Sequence, residues 1–210
     1  MSEGVRSPLR LGILLSGRGS NFLAIAQSIR EHRLAGAEIE VVISNVADAP
    51  GLDAARALGL QTALHVSKGR NRAEHDADML ATLRQHRVQL VCLAGYMRLL
   101  SPEFIAAFPN RILNIHPSLL PAFTGLDAQR QALEYGVRIA GCTVHFVDEF
   151  LDSGPIIIQS AVPVLEGDTV ESLSARILVQ EHLIYPKAIG YIADGRITVE
   201  GRRVSIREEE

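Results

Sequence analysis

Asn114 and His116 stand two residues apart where an apolar run ends, at the start of the sequence Asn-Ile-His-Pro-Ser-Leu-Leu-Pro. In a β-strand such residues point to the same face, so the amide and the imidazole would converge while Ile115 points the other way. Open α/β sheets place their ligand sites at the carboxyl ends of parallel strands. The pair therefore predicts a catalytic site at a strand end, with a hydrogen-bonded structural histidine as the alternative.

A carboxylate that could orient this imidazole stands in the acidic segment 148–155, which reads Asp-Glu-Phe-Leu-Asp-Ser-Gly-Pro. Asp152 would favour the protonated form of a neighbouring imidazole, whereas solvated loop charges are the usual fate of such a run. His145 precedes the segment, and its position fits a core residue as well as a second site histidine. The H-x-x-x-H and C-x-x-C spacings of metal sites are absent, so no metal is predicted around His116, His145 and Asp152.

These residue types suggest a direct acyl transfer. The nucleophile-elbow motif G-x-S-x-G does not occur in the chain, which argues against a serine triad with a covalent intermediate. An Asn amide and an imidazolium can stabilise the oxyanion of a direct transfer, and a carboxylate can hold the imidazole. Such a reaction requires a substrate that carries its own nucleophile.

A glycine turn, residues 16–21, could anchor such a substrate by a phosphate group. It reads Ser-Gly-Arg-Gly-Ser-Asn and lies between an apolar run and a helical pattern. Gly17 and Gly19 would let the backbone N–H groups at a helix N-terminus approach an anion. The turn is neither a Walker A loop nor a full G-x-G-x-x-G motif. An ordinary turn in which Ser20 or Asn21 caps the helix remains an equal alternative.

The elements that must position these residues alternate along the chain. Predicted strands are 11–15, 39–44, 61–66, 88–94, 111–115, 140–147 and 155–164, with weak strands at 197–199 and 204–206. Predicted helices are 22–33, 52–58, 72–86, 101–108, 126–136 and 169–189. Continuous apolar strands that alternate with helices are typical of an α/β protein with a mostly parallel sheet and helices on both faces.

The composition limits the possible partners and the location of the protein. The 210 residues carry a net charge of −3 and 5% aromatic residues without Trp, which disfavours nucleic acid as a partner. No apolar run is long enough to span a membrane, so we expect no membrane partner and a cytoplasmic protein. Cys92 and Cys142 lie in apolar runs and are predicted to be buried thiols. We expect a single domain over residues 1–210, with flexible ends at 1–8 and 207–210.

Six segments occur in the order and spacing of a known family. They are 16–21, 44–45, 94–102, 114–121, 152–155 and 180–186, which read S-G-R-G-S-N, S-N, A-G-Y-M-R-L-L-S-P, N-I-H-P-S-L-L-P, D-S-G-P and Q-E-H-L-I-Y-P. Through these segments the chain resembles the folate-dependent formyltransferases of the glycinamide ribonucleotide transformylase family. The resemblance implies a Rossmann-like twisted sheet, the formyltransferase fold. It also implies formyl transfer from 10-formyltetrahydrofolate to glycinamide ribonucleotide in purine (IMP) biosynthesis.

The resemblance further implies a role for each matching residue. The phosphate of glycinamide ribonucleotide would be bound by Gly19, Ser20 and Asn21, and its ribose by Glu181. The folate would lie against Arg72, Met97, Arg98, Leu99, Leu100 and Asn114. Asn114 would hold the formyl oxygen, His116 would be the general acid, and Asp152 would support its protonated form. Thr124 and Asp127 depart from the family pattern, in a loop expected to cover the folate.

Two other functions remain open at this point. One is a formyltetrahydrofolate hydrolase, in which water replaces the amine. Hydrolases of this kind usually carry an additional N-terminal domain, and the first predicted strand here begins near Leu11, so transfer is expected over hydrolysis. The other is a nucleotide-binding module without catalysis, which the glycine turn alone would fit. Monomer and homodimer are both compatible with the sequence.

Overall fold

A computed structural model describes residues 7–208 of the chain. The predicted flexible ends fall largely outside these residues, at 1–6 and 209–210. Within the described part, Arg207 donates from its backbone N–H to the carbonyl of Arg196 and from its guanidinium to the carbonyl of Gly195. These hydrogen bonds attach Arg207 to residues 195–196, and the flexibility of the ends stays a prediction.

Within residues 7–208, seven strands form the main sheet in the order β3-β2-β1-β4-β5-β6-β7. Its strands are β1 (Leu9–Leu15), β2 (Ala37–Ser44), β3 (Thr62–Leu64), β4 (Leu90–Leu93), β5 (Ile112–His116), β6 (Ile139–Phe146) and β7 (Ile156–Pro163). The pairings from β3 to β5 are parallel, and those of β5 with β6 and of β6 with β7 are antiparallel. The prediction of a mostly parallel sheet is confirmed.

Helices cover both faces of this sheet. They are α1 (Ser20–Arg30), α2 (Pro50–Ala57), α3 (Arg72–Gln85), α4 (Pro102–Ala107), α5 (Ala128–Tyr135) and α6 (Val170–Ala193). In β1, Ile13 and Leu15 join a core cluster with apolar residues of α1, α2 and α6, whereas Leu14 joins one with α3 and α4. Because alternate residues of a strand point to opposite faces, the two clusters lie on opposite sides of the sheet. The α/β fold with helices on both faces is confirmed.

Several element boundaries differ from the prediction by a few residues, among them the start of β4 and the end of α6. The strand expected from residue 88 begins at Leu90, since Arg87 has a positive φ and Val88 donates its N–H to the Leu83 carbonyl to close α3. The helix expected to end at residue 189 continues to Ala193. It does so although Pro186 lies inside it. The strands and helices themselves appear in the predicted order.

The chain order of the sheet reverses beside β1, and this reversal places the crevice where a ligand can bind. β2 and β3 extend to one side of β1, and β4 and β5 extend to the other. In open α/β sheets the connections diverge at such a point and leave a crevice at the carboxyl ends of the strands. The glycine turn follows β1, and segment 95–100 follows β4, so both lie at this crevice.

Buried polar groups of helix α6 hold the strand ends at this edge. Tyr185 is fully buried, and its hydroxyl lies 3.1 Å from the carbonyl oxygens of Leu93 in β4 and Leu113 in β5. A single O–H thus donates to two adjacent strands just before the Asn-x-His sequence.

Cys92 and Cys142 are buried free thiols, as predicted, and burial raises the pKa of Cys142 to about 12. No helix between residues 7 and 208 combines the length and apolar character that crossing a bilayer requires.

We predict that Tyr185→Phe lowers the free energy of unfolding by about 1–2 kcal/mol, because it removes a buried donor from two strand carbonyls. Urea denaturation followed by circular dichroism measures the change. Tyr191→Phe on the same helix is the control, since the hydroxyl of Tyr191 makes no hydrogen bond within residues 7–208. Equal losses in the two variants would contradict the proposed role of the Tyr185 hydroxyl.

Candidate active site

The three residues predicted to act together meet at the carboxyl end of β5. The Nδ1 atom of His116 lies 3.5 Å from Oδ2 of Asp152, and both side chains are more than nine-tenths buried. The same Oδ2 accepts a hydrogen bond of 2.8 Å from the backbone N–H of Gly125. Asp152 therefore joins the loop after β5 to the loop after β6, with the imidazole between them.

A covering loop, residues 117–127, closes over the other side of the imidazole. The Nε2 atom of His116 lies 2.8 Å from the carbonyl oxygen of Phe123. A carbonyl oxygen can only accept, so Nε2 carries the proton in this arrangement. With a carboxylate facing Nδ1 and a carbonyl facing Nε2, both ring nitrogens face acceptors. The Nε2 proton of His116 is thus occupied by the covering loop.

His145 is also part of the site, which decides an alternative that the sequence left open. The antiparallel pairing of β5 and β6 sets it directly opposite Asn114. Its Nδ1 lies 2.8 Å from the carbonyl of Phe146 and therefore carries the proton, which leaves Nε2 as an acceptor for Asn114 Nδ2 at 3.2 Å. Burial lowers the pKa of His145, which favours this neutral form.

The orientation of the Asn114 amide follows from this neutral histidine. Because Nε2 of His145 accepts, the Asn114 atom that faces it must be the NH₂ group, not the carbonyl oxygen. An amide NH₂ group carries two protons, and His145 uses one of them. The second N–H of Asn114 makes no hydrogen bond within residues 7–208.

The aspartate loop, residues 147–155, has a tight backbone that turns Asp152 towards the histidines. Asp152 has a φ of 48°, in the left-handed region that few residues other than glycine adopt. A Cβ on Gly154 would lie 1.8 Å from the carbonyl oxygen of Phe146, so only glycine fits there. Of the other carboxylates predicted as candidates, Asp148 accepts from the N–H of Phe150, and Glu149 is exposed. Only Asp152 among them faces the imidazoles.

The glycine turn leaves the N-terminus of α1 open, and the capping alternative is wrong. Helix α1 begins at Ser20, and its N-cap is Gly19, with a φ of 71° and no side-chain cap. Asn21, instead of capping, donates from Nδ2 to Oε2 of Glu181 at 2.7 Å, and burial raises the pKa of that carboxyl. The first backbone N–H groups of the helix therefore remain available to an anion.

A buried polar network, which the sequence did not predict, connects the glycine turn to segment 95–100. The hydroxyl of Ser16 donates to Oδ1 of Asn45 at 2.6 Å and accepts from the backbone N–H of Met97 at 2.9 Å. Asn45 in turn donates to the hydroxyl of Ser67, whose carbonyl accepts from the guanidinium of Arg98. The sequence contained a signal only in the Ser-Asn pair at the end of β2, and nothing local linked that pair to Ser67.

The remaining predicted folate residues are less closely tied to the site. Met97 and Leu99 are 70% and 54% exposed beside the crevice, whereas the side chain of Leu100 packs into the core. Arg72 is the first residue of α3. Its side chain is exposed and makes no hydrogen bond or ion pair within the described residues. The structure thus brings Met97 and Arg98 next to the glycine turn but gives Arg72 no contact there.

The lowered pKa values of three histidines predict a pH-dependent stability. Burial lowers the pKa of His65, His145 and His182, so the unfolded chain binds protons first as the pH falls. Stability should therefore decrease as the pH falls below about 6.5, the ordinary pKa of histidine, and His145→Gln should reduce the slope there by at most about 1.4 kcal/mol per pH unit. Urea denaturation at several pH values measures both slopes. An unchanged slope in the variant would mean that His145 is not held neutral.

Comparison with known proteins gives consistent results. Residues 9–189 match the model of the formyl transferase family. The phosphoribosylglycinamide formyltransferase of Escherichia coli (strain K12) is 43% identical over 190 residues, which cover 90% of this chain and 89% of that protein. The human trifunctional purine biosynthetic protein adenosine-3 is 45% identical over 203 residues, 95% of this chain. The chain spans only 20% of that human protein.

Among the solved structures, one with a similar fold matches nearly the whole of this chain. The crystal structure of glycinamide ribonucleotide transformylase 1 from Symbiobacterium toebii superposes with a TM-score of 0.92 and is 56% identical. The match covers 96% of this chain and 95% of that one. The family model and two relatives that this chain matches over most of their length thus agree. The chain belongs to the formyl transferase family.

Proposed function

We propose that the chain transfers the formyl group of 10-formyltetrahydrofolate to the amine of glycinamide ribonucleotide, in de novo purine (IMP) biosynthesis. The products would be formylglycinamide ribonucleotide and tetrahydrofolate. The observation that carries the proposal is the meeting of Asn114, His116 and Asp152 beside a glycine turn whose helix N-terminus is open. The names of the Escherichia coli and Symbiobacterium toebii relatives support it.

The glycine turn and helix α6 would bind the nucleotide. The phosphate would be held by the backbone N–H groups of Gly19, Ser20 and Asn21, where the helix dipole favours an anion. Glu181 holds Asn21 through one carboxyl oxygen and would accept a ribose hydroxyl through the other. The amine at the far end of the nucleotide would then reach towards the end of β5.

The folate would lie along segment 97–100, mainly against its backbone. The side chain of Leu100 is in the core, and the N–H of Met97 is used by Ser16, so the polar backbone groups of residues 98–100 would meet the pterin. Arg72 would approach the folate from the start of α3. This arrangement would direct the formyl group towards Asn114.

The transfer itself would be a direct attack on the formyl carbon. The lone pair of the substrate amine forms the new C–N bond, and the electrons of the carbonyl π bond move to its oxygen. The free N–H of Asn114 and the protonated ring of His116 would stabilise this oxyanion, and Asp152 would hold the ring. When the tetrahedral intermediate collapses, the bond to N10 of the folate breaks, and N10 receives a proton that the amine has lost.

The covering loop must move for this step to occur. The carbonyl of Phe123 lies where a substrate oxygen would meet Nε2 of His116, at 2.8 Å. A proton that is donated to this carbonyl cannot be offered to the substrate at the same time. The structure therefore corresponds to an arrangement in which the loop takes the place of the formyl oxygen, and substrate binding would displace it.

A turnover assay with purified protein tests the proposed function. Release of tetrahydrofolate from 10-formyltetrahydrofolate only when glycinamide ribonucleotide is present would support transfer. Release without the amine would instead indicate a hydrolase. No release under either condition would leave the nucleotide-binding module, and both of these results would overturn the proposal.

We predict that His116→Ala lowers turnover by about 10²-fold or more, with little change in the KM of either substrate, because the ring acts on the transition state. Steady-state kinetics with both substrates varied measures kcat and KM separately. His32→Asn serves as the control, because His32 is exposed on the connection between α1 and β2. Near-normal turnover in His116→Ala would exclude His116 from the mechanism.

A further inference from the structure

We propose that Arg202 is a positioning residue for Asp152, which it holds in place from a hairpin that lies beyond the residues matched by the family model. The inference rests on the proposed function, since it concerns how the carboxylate is kept at His116. Arg202 touches neither histidine and would not contact substrate. It would act through the aspartate loop.

Arg202 lies at the tip of a C-terminal hairpin formed by β8 (Ile197–Glu200) and β9 (Arg203–Ile206). Gly201 and Arg202 form its two-residue turn, in which Gly201 alone has a positive φ, the pattern of a type II′ turn. The family model matches residues 9–189 and does not include this hairpin. Its contacts are therefore a feature of this chain beyond the matched domain.

The hairpin packs against the main core of the protein. One face of its two strands carries apolar side chains that pack against the main core cluster, namely Ile197, Val199, Val204 and Ile206. The base is closed by reciprocal hydrogen bonds between Arg196 and Arg207. The side chain of Arg202 at the tip therefore extends from a hairpin that is packed and hydrogen-bonded in place.

The guanidinium of Arg202 hydrogen-bonds to Ser153, the residue of the aspartate loop that follows Asp152. Its Nη2 donates to the carbonyl oxygen of Ser153 at 2.6 Å, and its Nη1 lies 3.4 Å from the Ser153 hydroxyl. Hydrogen bonds from a charged donor are stronger than those between neutral groups. The contact joins two segments 49 residues apart in the sequence.

Burial of apolar surface contributes little to holding the tip of the aspartate loop. Its residues Phe150 and Leu151 are 73% and 54% exposed. Asp152 itself has the unfavourable φ of 48°, a conformation that persists only where the surroundings impose it. The Arg202 contact to the Ser153 carbonyl adds a restraint on the backbone next to Asp152.

Amide hydrogen–deuterium exchange, followed by mass spectrometry on the whole chain, tests the restraint without relying on activity. Arg202→Ala should increase exchange in peptides that cover residues 147–155 by about tenfold, while peptides from β1 and β4 stay unchanged. Arg203→Ala is the matched control, because the side chain of Arg203 is exposed on the same hairpin and makes no hydrogen bond or ion pair within residues 7–208. Unchanged exchange in Arg202→Ala would overturn the proposal.

Kinetics in two backgrounds test whether Arg202 acts through Asp152. Arg202→Ala should lower kcat by about tenfold at nearly constant KM, and Arg202→Lys should restore most of it, since an ammonium can also donate to the Ser153 carbonyl. In the Asp152→Asn background, Arg202→Ala should cause little further loss, because the group that it positions is already removed. An equal loss in both backgrounds would overturn the positioning role.

The two proposals fail in different ways. A wild-type chain without formyl transfer would refute the proposed function, and the exchange data alone would then decide whether Arg202 holds the loop. A wild-type chain with normal transfer, but with an Arg202→Ala variant that matches Arg203→Ala in exchange and kcat, would refute only the inference about Arg202.

Discussion

The rest of the site depends on the contacts that the carboxylate of Asp152 makes. It accepts from the N–H of Gly125 and faces Nδ1 of His116 at 3.5 Å and Nε2 of His145 at 3.9 Å. A buried carboxylate is tolerated only where opposite charge or hydrogen-bond donors surround it. The covering loop, the end of β5 and the end of β6 must therefore stay together for the charge to be stable, and this requirement assembles the site.

The two site histidines differ in their hydrogen-bond partners. His145 gives its Nδ1 proton to the Phe146 carbonyl and accepts from Asn114, and burial lowers its pKa, so it stays neutral and orients the amide. His116 faces an acceptor at each nitrogen, the Asp152 carboxylate at Nδ1 and the Phe123 carbonyl at Nε2. The Asp152 carboxylate thus lies beside two imidazoles that are held by different partners.

Much of the fold could be predicted because its signals are local. The continuous apolar runs and the intervening helical patterns indicated the α/β sheet and both covering layers, and alternation along β5 correctly placed Asn114 and His116 on the same face. The start of β4 could not be predicted, since it depends on the positive φ at Arg87, and the helical pattern did not show that α6 continues past Pro186 to Ala193. The open N-terminus of α1 also depends on tertiary contacts, because Glu181 draws the side chain of Asn21 away from the backbone.

By itself, the sequence determined which residue types could do the chemistry and that they would stand at strand ends, because side-chain alternation and apolar periodicity need only neighbouring residues. Only the tertiary structure decided the hydrogen-bond partners of His145, Ser16 and Arg202. Their partners, Asn114, Met97 and Ser153, are 31, 81 and 49 residues away along the chain. Such contacts form only after the strands have paired and the hairpin has packed, and no local pattern encodes which distant groups will then face each other.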